Sequence, residues 1–185
     1  MHISLKNILL ESAAKAIDNP NFKKWFGNSK VVDSGGNPLR VYHGTSKDKD
    51  FSKFTSKQNG MWFTSSPEGA SSYANQNDSM KTTMDIGADG KYIFKNINTA
   101  SRVIPVYLSI QNPAKLDKDG EYSNKLKYSQ NYSKAQREVF NELKSKGYDG
   151  VDFGDGIYVV FDPTQIKSAI GNNGNFDSKD PNIHR

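Results

Sequence analysis

The residues best placed for chemistry sit together in Arg40-Val41-Tyr42-His43-Gly44-Thr45. The segment reads as a strand that stops on an imidazole, a glycine and a hydroxyl. By the period of two, Leu39, Val41 and His43 share one face, and Arg40 and Tyr42 the other. A strand end suits chemistry, because the sheet holds it rigid while the following loop reaches solvent. Glycine after the histidine lets a ligand approach the backbone closely. The other two histidines, His2 and His184, lie at the ends of the chain, so a histidine metal cluster is not expected. Zero cysteine excludes disulfides and thiolate metal sites and fits a reducing compartment.

The elements that must position this segment follow from periodicity. Leu5 to Ile17 reads as a helix with Leu5, Ile8, Leu9, Ala13 and Ala16 in one stripe, ended by Asp18-Asn19-Pro20. Asn21 to Phe26 is a short helical turn whose Phe22, Trp25 and Phe26 are packing residues. Lys30-Val31-Val32 predicts a short strand, and Ser34 to Pro38 a turn before the His43 strand. Phe51 and Phe54 anchor the next loop. Gly60-Met61-Trp62-Phe63-Thr64 predicts a second strand, and Pro67 opens a helix carrying Ala70, Tyr73 and Ala74 on a shared side. Asn75 to Ala100 has few core candidates and is expected to be a mobile insertion over a site. Val103 to Ile110 is the clearest strand, with Ile104, Val106, Leu108 and Ile110 on one face. A polar loop follows, then a helix with a Ser133–Gln136 capping box, an Ala135, Val139, Phe140, Leu143 stripe and Gly147 at its end. Tyr148–Phe153 and Ile157–Phe161 predict two strands joined through Gly154-Asp155-Gly156, a hairpin signal. The second is apolar on both faces and so belongs in the middle of a sheet. The tail from Gly171 to Arg185 is expected on the surface.

The chain has 185 residues, enough for one domain with a real core. Its mean hydropathy of -0.75 marks a polar chain, but ten phenylalanines, nine tyrosines and two tryptophans argue against wholesale disorder. No apolar run approaches a membrane span, and the first residues lack a secretory pattern. The net charge of +5 favours anionic partners. The lysines are scattered, so a solvated basic surface is the default and nucleic-acid binding the minority reading.

Three separated pieces carry a resemblance. They are Tyr42-His43-Gly44-Thr45, then Gly60-Met61-Trp62-Phe63-Thr64 with Tyr73, and Ile157 to Ile166. Their order and spacing resemble the diphtheria-toxin-like ADP-ribosyltransferases, which include the poly(ADP-ribose) polymerases. The nearest resemblance is to small phage- and mobile-element-encoded members. It covers residues 20–185 as one domain, with 1–19 as a helical extension. The resemblance implies an α+β fold: two small, mainly antiparallel sheets packed across an NAD cleft and flanked by helices. It implies that His43 bonds the adenosine-side ribose and that Gly44 holds the nicotinamide amide through its backbone. Trp62, standing where the family has tyrosine, and Tyr73 would sandwich the nicotinamide. Thr45, Gly60 and Phe63 complete the implied NAD contacts. Stacking of a flat ring on an aromatic face is worth about 1–3 kcal/mol.

The third piece departs from the family. Its motif places a glutamate immediately before the tyrosine of the final strand, and here that position is Ile157. The glutamate steadies the transition state as nicotinamide leaves. Losing one such stabiliser costs roughly 3–4 kcal/mol. Asp155, two residues earlier, would share the face of Ile157 if the strand reached back that far. The expected function is therefore NAD-dependent mono-ADP-ribosyl transfer to a macromolecule, protein rather than nucleic acid. The alternatives are a weak or inactive NAD- or ADP-ribose-binding module and a nucleic-acid-modifying transferase. The resemblance further implies a monomer, no metal and no membrane, acting as a phage effector in a bacterial cytoplasm.

Overall fold

The computed structural model describes residues 16–46, 51–55, 60–78, 82–86, 92–96, 102–117 and 120–185. Among them are helices α1 (Pro20–Phe26), α2 (Pro67–Asp78), α3 (Glu121–Lys127) and α4 (Tyr132–Ser145). The strands are β1 (Val41–Thr45), β2 (Met61–Thr64), β3 (Thr82–Ile86), β4 (Tyr92–Asn96), β5 (Arg102–Leu108), β6 (Pro113–Lys115), β7 (Gly150–Asp152), β8 (Ile157–Val160) and β9 (Ile166–Ser168). The fold is α+β. Seven strands join in one sheet of order β6-β7-β8-β2-β1-β5-β9, and β3 pairs only with β4. The β6–β7 pair is parallel and the others are antiparallel. The expectation of two sheets packed across a cleft is not confirmed, because the seven main strands share one sheet with a weak seam. β1 pairs with β5 through five residues and β2 with β8 through four, but β1 meets β2 only at Tyr42↔Thr64.

Strand alternation divides the sheet into two faces. On one, Val41, Phe63, Met61, Val106, Leu108, Tyr158, Val160 and Ile166 form a core with Phe54, Val31 and Ile183. On the other, Val151 and Val159 pack with Phe140, Val139 and Leu143 of α4 and with Leu126 of α3. β8 contributes to both cores and lies between β7 and β2, as its two-sided apolar sequence predicts. The α1 aromatics Phe22, Trp25 and Phe26 form a third cluster with Tyr107 and Phe176.

Several expectations change. The helix predicted over Leu5–Ile17 lies outside the described residues except at its end, where residues 16–18 are helical. Lys30–Val32 supplies one isolated bridge, Val32↔Pro38, rather than a strand. Within Asn75–Ala100, the expected insertion, α2 runs on to Asp78 and β3 and β4 form a regular antiparallel pair. The expected polar loop after β5 holds β6 and α3. α4 begins one residue before Ser133 and is capped by Asn131, whose side chain accepts from Lys134 N at 3.0 Å. The 171–185 segment is not a surface tail, because Phe176 and Ile183 are buried at 4% and 2% exposure. Two apolar residues in a polar stretch are enough to anchor it.

Candidate functional site

The seam between β1 and β2 is where the three sequence pieces meet. Pro105 has no N–H, and its carbonyl accepts from Ala169 N on the β9 side at 3.0 Å. Tyr42 faces Pro105, so this is a pair without hydrogen bonds between β1 and β5. The peptide groups of Tyr42, and two residues on those of Gly44, therefore point away from β5 and toward β2. Tyr42 pairs there with Thr64. Continuing that register would bring Gly44 opposite Trp62, but the ladder stops short of them. The Trp62 carbonyl instead accepts from the His43 imidazole, with Nδ1 at 2.9 Å. A carbonyl can only accept, so Nδ1 carries the proton, and a neutral ring then holds its lone pair on Nε2. That lone pair suits a hydroxyl donor.

His43 lies on the Val41 face. Its ring meets the edge of Phe54 at 5.0 Å and tilts against Phe63 at 5.6 Å. Phe63 is 3% exposed and therefore supports His43 from the core. Thr45 is buried on the same face, opposite Arg102.

Trp62, Thr64 and Ile157 occupy the opposite face, since Trp62 pairs with Val159 and Thr64 with Ile157. The indole is half-buried and stacks on Phe153 at 4.8 Å and 23°, with Phe140 beyond it at 6.2 Å. α2 covers the β1 side of this face. A Cβ on Gly44 would lie 1.9 Å from the Ala70 carbonyl oxygen. Gly44 thus admits the backbone of α2. Gly60 has a similar packing reason, because a Cβ there would meet Phe140 Cε2 at 2.5 Å. Ala70 and Ala74 are buried, but Tyr73 on the same helix is 60% exposed. Burial, and then the nearby phenol of Tyr73, hold the Tyr132 hydroxyl above its ordinary value. The Tyr73 phenol of α2 thus lies near the Tyr132 hydroxyl at the start of α4.

Ile157 is 38% exposed, the first residue of β8. Asp155 does not share its face, because the strand stops at Ile157 and residues 154–156 form a left-handed turn with φ of 75°, 50° and 73°. Ile157 N donates to Gly154 O at 3.0 Å and closes that turn. Gly44, Trp62 and Ile157 thus lie on one face at the seam, and Tyr73 is exposed on the helix that covers the β1 side of that face. His43 with Thr45 and Phe63 lies on the other, joined to it through the Trp62 carbonyl. Sequence reasoning passed over Thr64, Phe153 and Tyr132. Thr64 was readable as the register partner of Ile157 only once the strands were paired, and Phe153 and Tyr132 carried no motif. Cavities of about 470 and 300 Å³ lie elsewhere, the first between α1 and residues 175–185 and the second between residues 16–19 and 168–176. Among the described residues, no group of histidines, aspartates or glutamates could hold a metal ion, and no helix is long and apolar enough to cross a membrane.

With this geometry in view, the sequence model of a known family, "ADP-Ribosyltransferase in polyvalent proteins", matches residues 33–176. The chain belongs to that family. The match spans β1 through β9 and so takes in every element around the seam. No curated protein and no solved structure matches the chain. Membership in an ADP-ribosyltransferase family implies NAD as the donor.

Proposed function

We propose that the protein transfers a single ADP-ribose unit from NAD to a macromolecular acceptor, protein rather than nucleic acid. The observation that carries this reading is the interrupted β1–β2 ladder. It leaves Gly44's peptide groups facing a gap beside the His43 imidazole and the Trp62 indole. A carboxamide needs one donor and one acceptor side by side, and the N–H and C=O of a strand residue outside the ladder offer both. The nicotinamide ring would lie at this gap between Trp62 and Tyr73, with His43 Nε2 accepting from a ribose hydroxyl across the seam. The bond from ribose C1′ to the nicotinamide nitrogen breaks, and nicotinamide leaves with the electron pair. The acceptor nucleophile then bonds to C1′ and loses its proton. The developing positive charge on the ribose meets no carboxylate from Ile157, so an acidic acceptor side chain would supply what the chain lacks.

The test is nicotinamide release together with labelled ADP-ribose transfer into cell lysate. Protein labelling by the natural chain that disappears in His43→Ala with Trp62→Ala supports the proposal. Labelling that survives the double substitution refutes the site. Ile157 favours one second reading, a module that binds NAD or ADP-ribose without turnover. Tight binding with no nicotinamide release would decide for it. Labelling of DNA or RNA, with binding that weakens steeply in salt, would instead indicate a nucleic-acid acceptor.

A further inference from the structure

Lys167 lies in β9 with no exposed surface. Burying an ammonium group is unfavourable unless it is well bonded. Its Nζ donates to the carbonyls of Asp180 at 2.7 Å and Asn182 at 3.0 Å. Both belong to a stretch that continues into the core. Ser168 N donates to Ile183 O at 2.8 Å, and Asn172 Nδ2 donates to the same oxygen at 3.1 Å. Ile183 N in turn donates to Ser52 O at 2.8 Å. The Ile183 side chain packs in the cluster that holds Phe54, Val41 and Phe63. From Ser52 the chain enters Phe54, whose ring meets Phe51 edge-on at 4.9 Å and presses on His43 at 5.0 Å and 89°. An uninterrupted path of contacts thus runs from the Lys167 ammonium to the His43 imidazole.

The path is specific in its polar links. A hydrophobic side chain could fill the space of the lysine stem, but only a donor at its tip can hold two carbonyls two residues apart. Those carbonyls fix the backbone that presents Ile183 N to Ser52. The loop at 51–55 has no helix or strand of its own, so it depends on such external bonds for its position.

We infer that Lys167 is a positioning residue for the site: by seating residues 180–183 it fixes the Ser52–Phe54 segment and so the orientation of the His43 ring. This rests on the reading of His43 as an NAD contact, and the test separates the two. Lys167→Met and Lys167→Arg are compared with the natural protein in two measurements. The first is the NMR signal of the His43 ring protons without NAD, which senses the Phe54 ring. The second is KM and kcat for nicotinamide release. Lys167→Met is expected to shift the His43 signals and raise KM for NAD about tenfold with kcat within about twofold, and Lys167→Arg to restore most of both. His43 signals that stay put in a folded Lys167→Met would overturn the inference. Shifted His43 signals with an unchanged KM would uphold the positioning and refute His43 as an NAD contact. If Lys167→Met does not fold, Phe54→Leu replaces it, keeping apolar bulk without the ring. The same rise in KM supports the path, and an unchanged KM with unmoved His43 signals overturns it.

Discussion

Ile157 decides how much chemistry the site can do. Its side chain is partly exposed, on the same face as Trp62 and opposite Thr64. A glutamate placed there would stay solvated enough to ionise, and it would stand beside the seam where nicotinamide is proposed to leave. Ile157→Glu is therefore expected to raise NAD consumption at least about tenfold, out of the roughly 100–1,000-fold that one preorganised stabiliser is worth. The check is nicotinamide release under saturating NAD. An unchanged rate in a folded variant would mean that β8 does not face the reacting bond. The same residue scale shows the reach of the sequence. His43, Trp62 and Ile157 were singled out by type and order, and pairing of their strands accounts for their meeting at one seam. Asp155 could not be judged in that way. Its role depended on where β8 begins, and a one-residue difference in a strand's start moves a side chain from a face into a turn.

Helix α2 sets a sharper constraint on β1 than any ligand consideration does. The carbonyl oxygen of Ala70 stands 1.9 Å from the point a Gly44 Cβ would take, and the Ala74 nitrogen 3.2 Å. Both are backbone atoms and cannot rotate away. Gly44→Ala is expected to destabilise the fold by about 1–3 kcal/mol or more, as overpacking does. Urea denaturation measures it, and Ala70→Gly should give no rescue, since the clash is with the main chain. A second constraint lies between α3 and α4. Glu142 accepts from Tyr122 at 2.8 Å and from Lys146 at 2.9 Å. Those two bonds, Lys146 first, hold its carboxyl below the ordinary value of 4.5. A depressed carboxylate adds stability above its unfolded value, and that stability is lost as pH falls through the folded one. Below pH 4.5 the natural protein should therefore lose stability more steeply than Glu142→Gln, as thermal melts across that range would show. These elements were only partly legible in the sequence. α4 showed through its stripe, and its buried face bears that out. α3 and the β3–β4 pair did not, because short elements in polar sequence take their order from tertiary partners, and periodicity needs length to be read.

The whole sheet is two ladders held by one pair. β9, β5 and β1 form one side, β2, β8, β7 and β6 the other, and Tyr42↔Thr64 joins them. Each side has its own support: β1 carries α2, and β7 and β8 carry α4. The apolar core on the Val41 face spans both, so the halves are not separate domains, yet the main-chain bonds across the seam are few. A dinucleotide lying there would add bonds to both halves at once, through Gly44 on one side and the Trp62 strand on the other. An unreactive NAD analogue at 100 times its Kd should stabilise the fold by about 2.7 kcal/mol, as any ligand specific to the folded state does. The location of the effect is the more telling part. Without ligand, the Tyr42 and Thr64 amides should exchange with solvent faster than those of Val41 and His43, which face the five-residue β5 ladder. With the analogue bound, exchange should slow most at residues 42–44 and 62–64 and least at the outer β6–β7 and β5–β9 pairs. Slowing confined to α1 and residues 174–180 would put the ligand in the cavities there and remove it from the seam.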